Sequence, residues 1–210
     1  VWISEREKRK RAIKKELELL KEEILRKGTE SLLKRSNLLS ERKNGLTFEV
    51  PFFDERVIIE IPSFTFRKTS GGKVDLVAKI ILLRYLKEAI SFSKEKDEPF
   101  VNLKELGILP KRATASVEKA FSYDSKGFLR CGETIAGEKA HSQSCGLFFP
   151  VLPHVRFLLT FSEAEEEKKA NLEVFVPKSF LQIFPPAETV YLVQVLLRKI
   201  IKEGKKYYSL

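Results

Sequence analysis

Residues 145–161, CGLFFPVLPHVRFLLTF, constrain the fold more than any other stretch of the chain. Two apolar runs flank a Pro-x-x-Pro corner at Pro150 and Pro153, a charged connection runs from Glu163 to Lys169, and a further apolar segment spans Leu172 to Val176. Short apolar runs bounded by turn signals are the pattern of strands in a sheet core. The block predicts strands at 146–149, 155–161 and 171–176, a buried hairpin with a solvated connection. It contains almost no side chain suited to chemistry.

Helices are expected around that block. Over 4–27, Ile13, Leu17, Leu20 and Ile24 fall at spacings of four, three and four, which is one stripe of a helix, and Gly28 stops it. A second helix is expected over 30–43, with Asn44-Gly45 ending it. Leu46–Val50 and Glu55–Phe66 read as strands, and Val57, Ile59 and Ile61 alternate with polar neighbours as a half-buried sheet requires. Residues 74–92 read as a helix apolar most of the way round, which is packed on two sides. Asn102–Leu106 suggests a helical turn, Ala113–Phe121 a short helix, Gly127–Cys131 a strand, and 132–144 a loop. The last helix, 187–203, opens after Pro185-Pro186 with Glu188 in its first turn and stops at Gly204. Strands arrive in groups rather than alternating with helices. The fold class expected is therefore α+β: a mostly antiparallel sheet packed by a central and a C-terminal helix, with an N-terminal basic helical extension. The division expected is 1–28 for the extension and 29–210 for a single domain.

Charge is distributed unevenly. Of the net +10, residues 1–45 carry +6, from 14 Lys+Arg against 8 Asp+Glu. Arg6, Lys8, Arg9, Lys10, Arg11, Lys14 and Lys15 are seven basic residues within ten positions. Such a segment attracts phosphate, an anionic surface or an acidic protein face. No apolar run approaches the ~20 residues that a membrane span needs, and no signal peptide is recognisable, so a cytoplasmic protein with no membrane partner is expected.

Chemistry-bearing motifs are few. Cys131, His141, Cys145 and His154 supply thiolate and imidazole in a C-x9-H-x3-C-x8-H order, ligand types suited to zinc or a soft transition metal, though in no standard zinc spacing. Cys145 with His141 would make a nucleophile pair but has no recognisable orienting group or oxyanion site, and the two cysteines would be a redox pair only if their strands were adjacent. Ser70-Gly71-Gly72-Lys73 lacks the spacing of a phosphate loop and reads as a turn before a helix. No cofactor is expected.

The order of landmarks resembles a prokaryotic family catalogued as domain of unknown function 3786. The helix ending in a Gly before a strand is similar to Glu41–Phe48. An "xLLxYLxxA" helix is similar to Ile81–Ala89, a "P-[FV]-x-x-K-E-L" stretch to Pro99–Leu106, and a "fFPxlP" strand to Phe148–Phe161. The ending resembles Leu172–Ile201, and the likeness runs from about residue 15 to 203. One departure is the family's acidic "DEEFP", where this chain has SEAEEEKK at 162–169. The resemblance implies a setting in anaerobes, beside iron–sulfur or corrinoid proteins of one-carbon metabolism.

Together these readings point to a non-catalytic accessory or interaction protein rather than an enzyme. In that reading Ile13, Leu17, Leu20 and Ile24 bury against a partner while Arg6, Arg9, Lys10 and Lys14 steer and rim the contact. The resemblance implies a large metalloenzyme complex of anaerobic one-carbon metabolism as that partner. Two alternatives stand beside it: an RNA- or ribosome-binding protein using the basic helix, since nucleic acid is the other partner such a segment suits, and a small metal-binding or redox module built on the Cys and His residues.

Overall fold

In a computed structural model, the residues described are 4–28, 39–42, 45–88, 98–140 and 145–209. Among them the chain is α+β, with six helices and two antiparallel sheets. It divides into two compact units, Val1–Pro51 with Glu55–Ser93, and Phe52–Asp54 with Lys94–Leu210.

The first unit holds α1 (Glu5–Lys27), β1 (Leu39–Arg42), β2 (Gly45–Phe52), β3 (Glu55–Ile61), β4 (Thr65–Lys68) and α2 (Leu76–Glu88), with the strands in the order β1-β2-β3-β4. Alternation works as the sequence predicts: Phe48 and Val50 are buried and Glu49 is exposed, while Val57, Ile59 and Ile61 are buried. The strand expected over 55–66 is two strands, because Pro62 has no N–H for a ladder and Phe64 turns the chain at φ 51°. The helix expected over 30–43 is corrected where it can be seen. Residues 39–42 form β1, paired to β2 from Leu39↔Phe48 to Arg42↔Gly45, and the rest of that span lies outside the described residues. Asn-Gly is as strong a hairpin signal as a helix stop. Gly45 is required for space as well, since a Cβ there would stand 2.4 Å from the Ile61 carbonyl oxygen.

Helix α2 is apolar nearly all round as expected, burying Ala78, the run Ile80–Leu83, Tyr85 and Leu86. Asp75 caps it, its Oδ1 accepting the Val77 and Ala78 N–H groups at 3.0 Å each. Residues 89–92 of the helix expected there lie outside the described residues. Helix α1 packs along α2. Leu17, Leu20 and Ile24 are 5%, 5% and 1% exposed. Glu16 takes Arg84 at 2.6 Å and Glu23 takes Lys87 at 3.0 Å across the helix pair. Lys21 and Lys79 lie over the Phe64 and Phe66 rings of the β3–β4 hairpin, at 5.8 and 5.2 Å from the centroids. All of α1 belongs to this first compact unit, together with the strands that follow residue 28.

The second unit holds β5 (Phe100–Asn102), α3 (Lys111–Ala120), α4 (Ser125–Thr134), β6 (Glu138–Lys139), β7 (Gly146–Leu152), β8 (Val155–Ser162), β9 (Asn171–Pro177), α5 (Lys178–Ile183) and α6 (Pro186–Tyr207). Its strand order is β5-β9-β8-β7-β6. The hairpin read from residues 145–161 is its centre, with Leu147 opposite Leu159, Phe149 opposite Phe157 and Leu159 opposite Val174. All five are at most 1% exposed. Helices α3 and α4 cover this sheet and α6 packs on both of them. An aromatic run fills the layer: Phe128 stacks on Phe161 at 5.0 Å, and Phe180 meets Phe157 at 5.2 Å and Phe184 at 4.3 Å.

Three local expectations change here, and one helix is unexpected. Asn102 belongs to strand β5, so the turn that ends at Gly107 starts after it. The strand expected at Gly127–Cys131 is helix α4. Two glycines lower its helix propensity, yet Asp124 caps it by accepting the Gly127 N–H at 2.7 Å, and its apolar side buries Phe128 and Cys131. The short helix α5 gave no clear signal of its own. Helix α6 passes through Gly204 to Tyr207. That glycine makes room rather than a stop, for a Cβ would lie 2.8 Å from Cζ of Phe121.

Candidate functional site

The thiol–imidazole set expected from sequence does not converge at its two visible ends. Cys145 precedes β7 and His154 sits in the exposed turn beyond its other end, at φ 62°. An extended strand advances ~3.3 Å per residue, so nine residues separate the two by roughly 25–30 Å. Cys131 is buried in α4, and His141 lies outside the described residues. Among the described residues no group of three or more His, Cys, Asp or Glu is placed to hold a metal ion. Neither thiol is activated. Burial first, then the carboxylates Glu203 and Asp124, push Cys131 up. Burial and Glu163 push Cys145 up to about 11. A thiol held protonated is a poor nucleophile and a poor ligand.

The acidic stretch at 163–167 has a structural task. The Glu163 carboxylate accepts the Ser125 N–H at 2.6 Å at the start of α4, and its bonds to the Ser125 hydroxyl and N–H hold its pKa below the usual carboxylate range. Asp124 completes that corner by accepting the Tyr208 hydroxyl at 2.8 Å, which ties the end of α6 to the start of α4. Sequence alone gave no sign of this tie, because its members lie 84 residues apart. At Ser70–Lys73 the phosphate-loop likeness ends at Asp75, whose carboxylate occupies the α2 N-terminus where a phosphate would sit.

A half-open cavity of about 240 Å³ lies in the second unit between the 103–110 turn, α3 and the start of β9. Its polar wall is bonded within the chain. Lys104 Nζ donates to Asn171 Oδ1 at 3.0 Å, the Leu172 N–H donates to Glu118 at 3.0 Å, and the Thr114 hydroxyl turns back to the Lys111 carbonyl at 2.9 Å. Those bonds join α3 and the turn to β9, and they leave few groups to receive a ligand.

Helix α1 has two halves of different character. From Glu16 onward its charges are mostly paired: Glu16 with Arg84, Glu18 with Lys21, and Glu23 with both Lys27 and Lys87. The stripe residues Leu17, Leu20 and Ile24 are consumed by the chain's own fold, and Ile13 is half-buried. Before Glu16 the picture reverses. Arg6, Lys8, Arg9, Lys10, Arg11, Lys14 and Lys15 are all exposed, and only Lys8 has a carboxylate partner among the described residues, Glu5 at 2.8 Å. Ser4 caps this end, its hydroxyl accepting the Glu7 N–H at 3.3 Å. Apart from that cap and Glu5 and Glu7, the charge is unfavourable here. Arg6 and Lys8 sit at the positive end of the helix dipole beside Glu5 and Glu7, and the like-charge i,i+4 pairs Arg6/Lys10, Lys10/Lys14 and Arg11/Lys15, each costing ~0.2–0.5 kcal/mol, outnumber the opposite-charge pairs Glu5/Arg9 and Glu7/Arg11.

These features define a class: an α+β protein of two compact units whose described residues bring together no catalytic or metal constellation, and whose first helix begins with a strongly charged, exposed half. No helix among the described residues is long and apolar enough to cross a membrane. The chain belongs to the family described as Domain of unknown function (DUF3786), whose model matches residues 29–199. No curated protein and no solved structure matches the chain. The matched segment begins after Lys27, so the family likeness carries no information about α1.

Proposed function

We propose that this is a non-catalytic interaction protein that joins a larger assembly through the basic first half of α1. The observation that carries this reading is the contrast within one helix. From Glu16 onward five of the seven charges of α1 have ion-pair partners, while six of the seven cations of residues 6–15 have none among the described residues. Like charge accumulated along a helix is locally destabilising, and an anionic partner reverses the sign of that term. Docking by the apolar stripe is replaced in this reading by docking through charge, since the stripe residues Leu17, Leu20 and Ile24 are buried against the rest of the chain. Two assemblies follow from the sequence, a metalloenzyme complex of anaerobic one-carbon metabolism and a nucleic-acid particle. The first rests on the family, whose model starts at residue 29 rather than near 15 and so leaves out α1, and the second rests on the charge itself. The geometry favours the second.

The test is native sedimentation of the chain expressed in its source cells, beside a variant carrying Arg6→Gln, Arg9→Gln, Lys10→Gln and Lys14→Gln. The expected result is a fast-sedimenting pool for the original chain at low salt and sedimentation as the free 24.2 kDa chain for the variant. Both sedimenting as free protein at low salt would overturn the reading.

A further inference from the structure

We infer that the occupant of the α1 surface is double-helical DNA, with the first three turns of the helix lying in the major groove and holding phosphates on either side. This rests on the reading that the basic half of α1 is the contact element, and it names what that element contacts.

Four features point to a groove rather than to a flat acidic face. At roughly 100° per residue, Arg6, Lys10 and Lys14 fall in one quadrant of the helix and Arg11, Lys8 with Lys15, and Arg9 in the other three. A planar partner reaches only one side of such a rod, whereas a groove brings anions to both flanks. The exposed segment from Glu5 to Lys15 is ~16 Å long at 1.5 Å per residue, and duplex DNA presents one charge per ~1.7 Å, so about nine phosphates border it. A helix with its side chains is ~10–12 Å across and the B-form major groove is ~12 Å wide, while the A-form major groove of RNA is too narrow to admit it. Residues 4–15, SEREKRKRAIKK, include no aromatic side chain, so the described part of the helix offers single strands no stacking platform of its own, Trp2 preceding it in the sequence. They also include no Asn or Gln to read an adenine edge, and the base edges their three Arg suit are those of guanine, so the contact is mainly to the backbone with any sequence preference falling on G·C pairs.

The experiment measures full-chain affinity by fluorescence anisotropy on a labelled 16-base-pair DNA duplex, across 50 to 200 mM salt. Residues 4–15 carry seven cations and two carboxylates, a net of five. Five neutralised phosphates give a slope of log K against log salt near −4.5, which is an affinity loss of ~500-fold over that range. The variant Arg9→Gln/Lys10→Gln/Lys14→Gln should flatten the slope by about 2.7, whereas Lys10→Arg/Lys14→Arg should keep it near the original. All three altered positions are exposed, and unchanged far-UV circular dichroism in both variants confirms intact folding. Parallel titrations use duplex RNA, single-stranded DNA and polyglutamate. Preference for duplex DNA over all three supports the inference. Equal or tighter binding of RNA or single strands overturns it. Binding of polyglutamate without DNA overturns it while leaving the proposed function standing, and no binding of any polyanion removes both.

Discussion

Replacing Leu20 by Ala tests which side of the α1 ledger its apolar stripe belongs to. Leu20 is 5% exposed, flanked on the stripe by Leu17 at 5% and Ile24 at 1%, on a helix that packs along α2. Truncating a buried leucine costs ~2–5 kcal/mol, the lost transfer energy plus the cavity left behind. A middle value of ~3 kcal/mol is a large part of the ~5–15 kcal/mol that holds a domain folded. For a chain of this size it corresponds to a fall in Tm of ~6–12 °C. With two compact units a single transition is not assured, so amide exchange by mass spectrometry is the better assay. Loss of protection is expected in the second half of α1 and in α2, Leu76–Glu88, where the two helices hold each other. Leu17→Glu with Leu20→Glu should be worse, since each buries a carboxylate with no partner at its position. Exchange and melting like the original chain for Leu20→Ala would refute the reasoning and return the stripe to service as a docking surface.

Gly204→Ala pits two effects against each other. Helix propensity alone predicts a gain of ~1 kcal/mol, and overpacking against the Phe121 ring at 2.8 Å predicts a loss of ~1–3 kcal/mol, so Tm should fall; a rise would show that the ring yields freely. Lys87 lowers the pKa of Glu23, and Ser125 lowers that of Glu163. A depressed carboxylate contributes stability that is present above its unfolded pKa and lost as pH falls through the folded value, so stability should decline below about pH 4.5. Glu23→Gln should flatten that acid limb, and an unchanged limb would remove the pair from the account. Cys145, pushed up to about 11, should react slowly with iodoacetamide at pH 7 and faster as pH approaches that value; rapid labelling at pH 7 would contradict the protected thiol.

Patterns with a short period were legible in the sequence, and the elements set by distant contacts were not. The β7–β8 hairpin declares itself because Leu147, Phe149, Phe157 and Leu159 carry the alternation that one buried face imposes. The stripe of α1 declares itself at spacings of three and four for the same reason. Helix α4 does not, because Gly127 and Gly132 argue against a helix locally. What fixes it is remote: Glu163 on its first N–H and a close fit at Gly132, where a Cβ would stand 2.2 Å from Leu147 Cδ1. Gly204 misleads in the opposite sense, since a residue chosen for a steric fit looks the same in sequence as one chosen for a helix stop. The candidate site divides along the same line. Exposed charge on α1 is readable residue by residue, but that Glu16 and Glu23 have partners across the fold, and Arg9 and Lys10 none among the described residues, depends on where Arg84 and Lys87 stand, more than sixty residues away.

That difference in pairing also bears on how α1 could be divided. The half after residue 15 is held by burial and by ion pairs to α2, so it remains helical whatever the salt. The half before it has almost no tertiary support among the described residues, and isolated helical segments of about three turns are marginal in water. Its helicity therefore depends on continuity with the packed half and on the Ser4 cap, against the repulsion of its own cations. An anionic partner removes that repulsion, so binding and helix order in residues 5–15 are coupled: added salt strengthens the free helix and weakens the complex. Carbon chemical shifts of Arg9 and Lys10 followed against salt, with and without DNA, separate the two effects. Helicity that rises with salt in the free chain and falls with salt in the complex is expected, and the same dependence in both would dissolve the coupling.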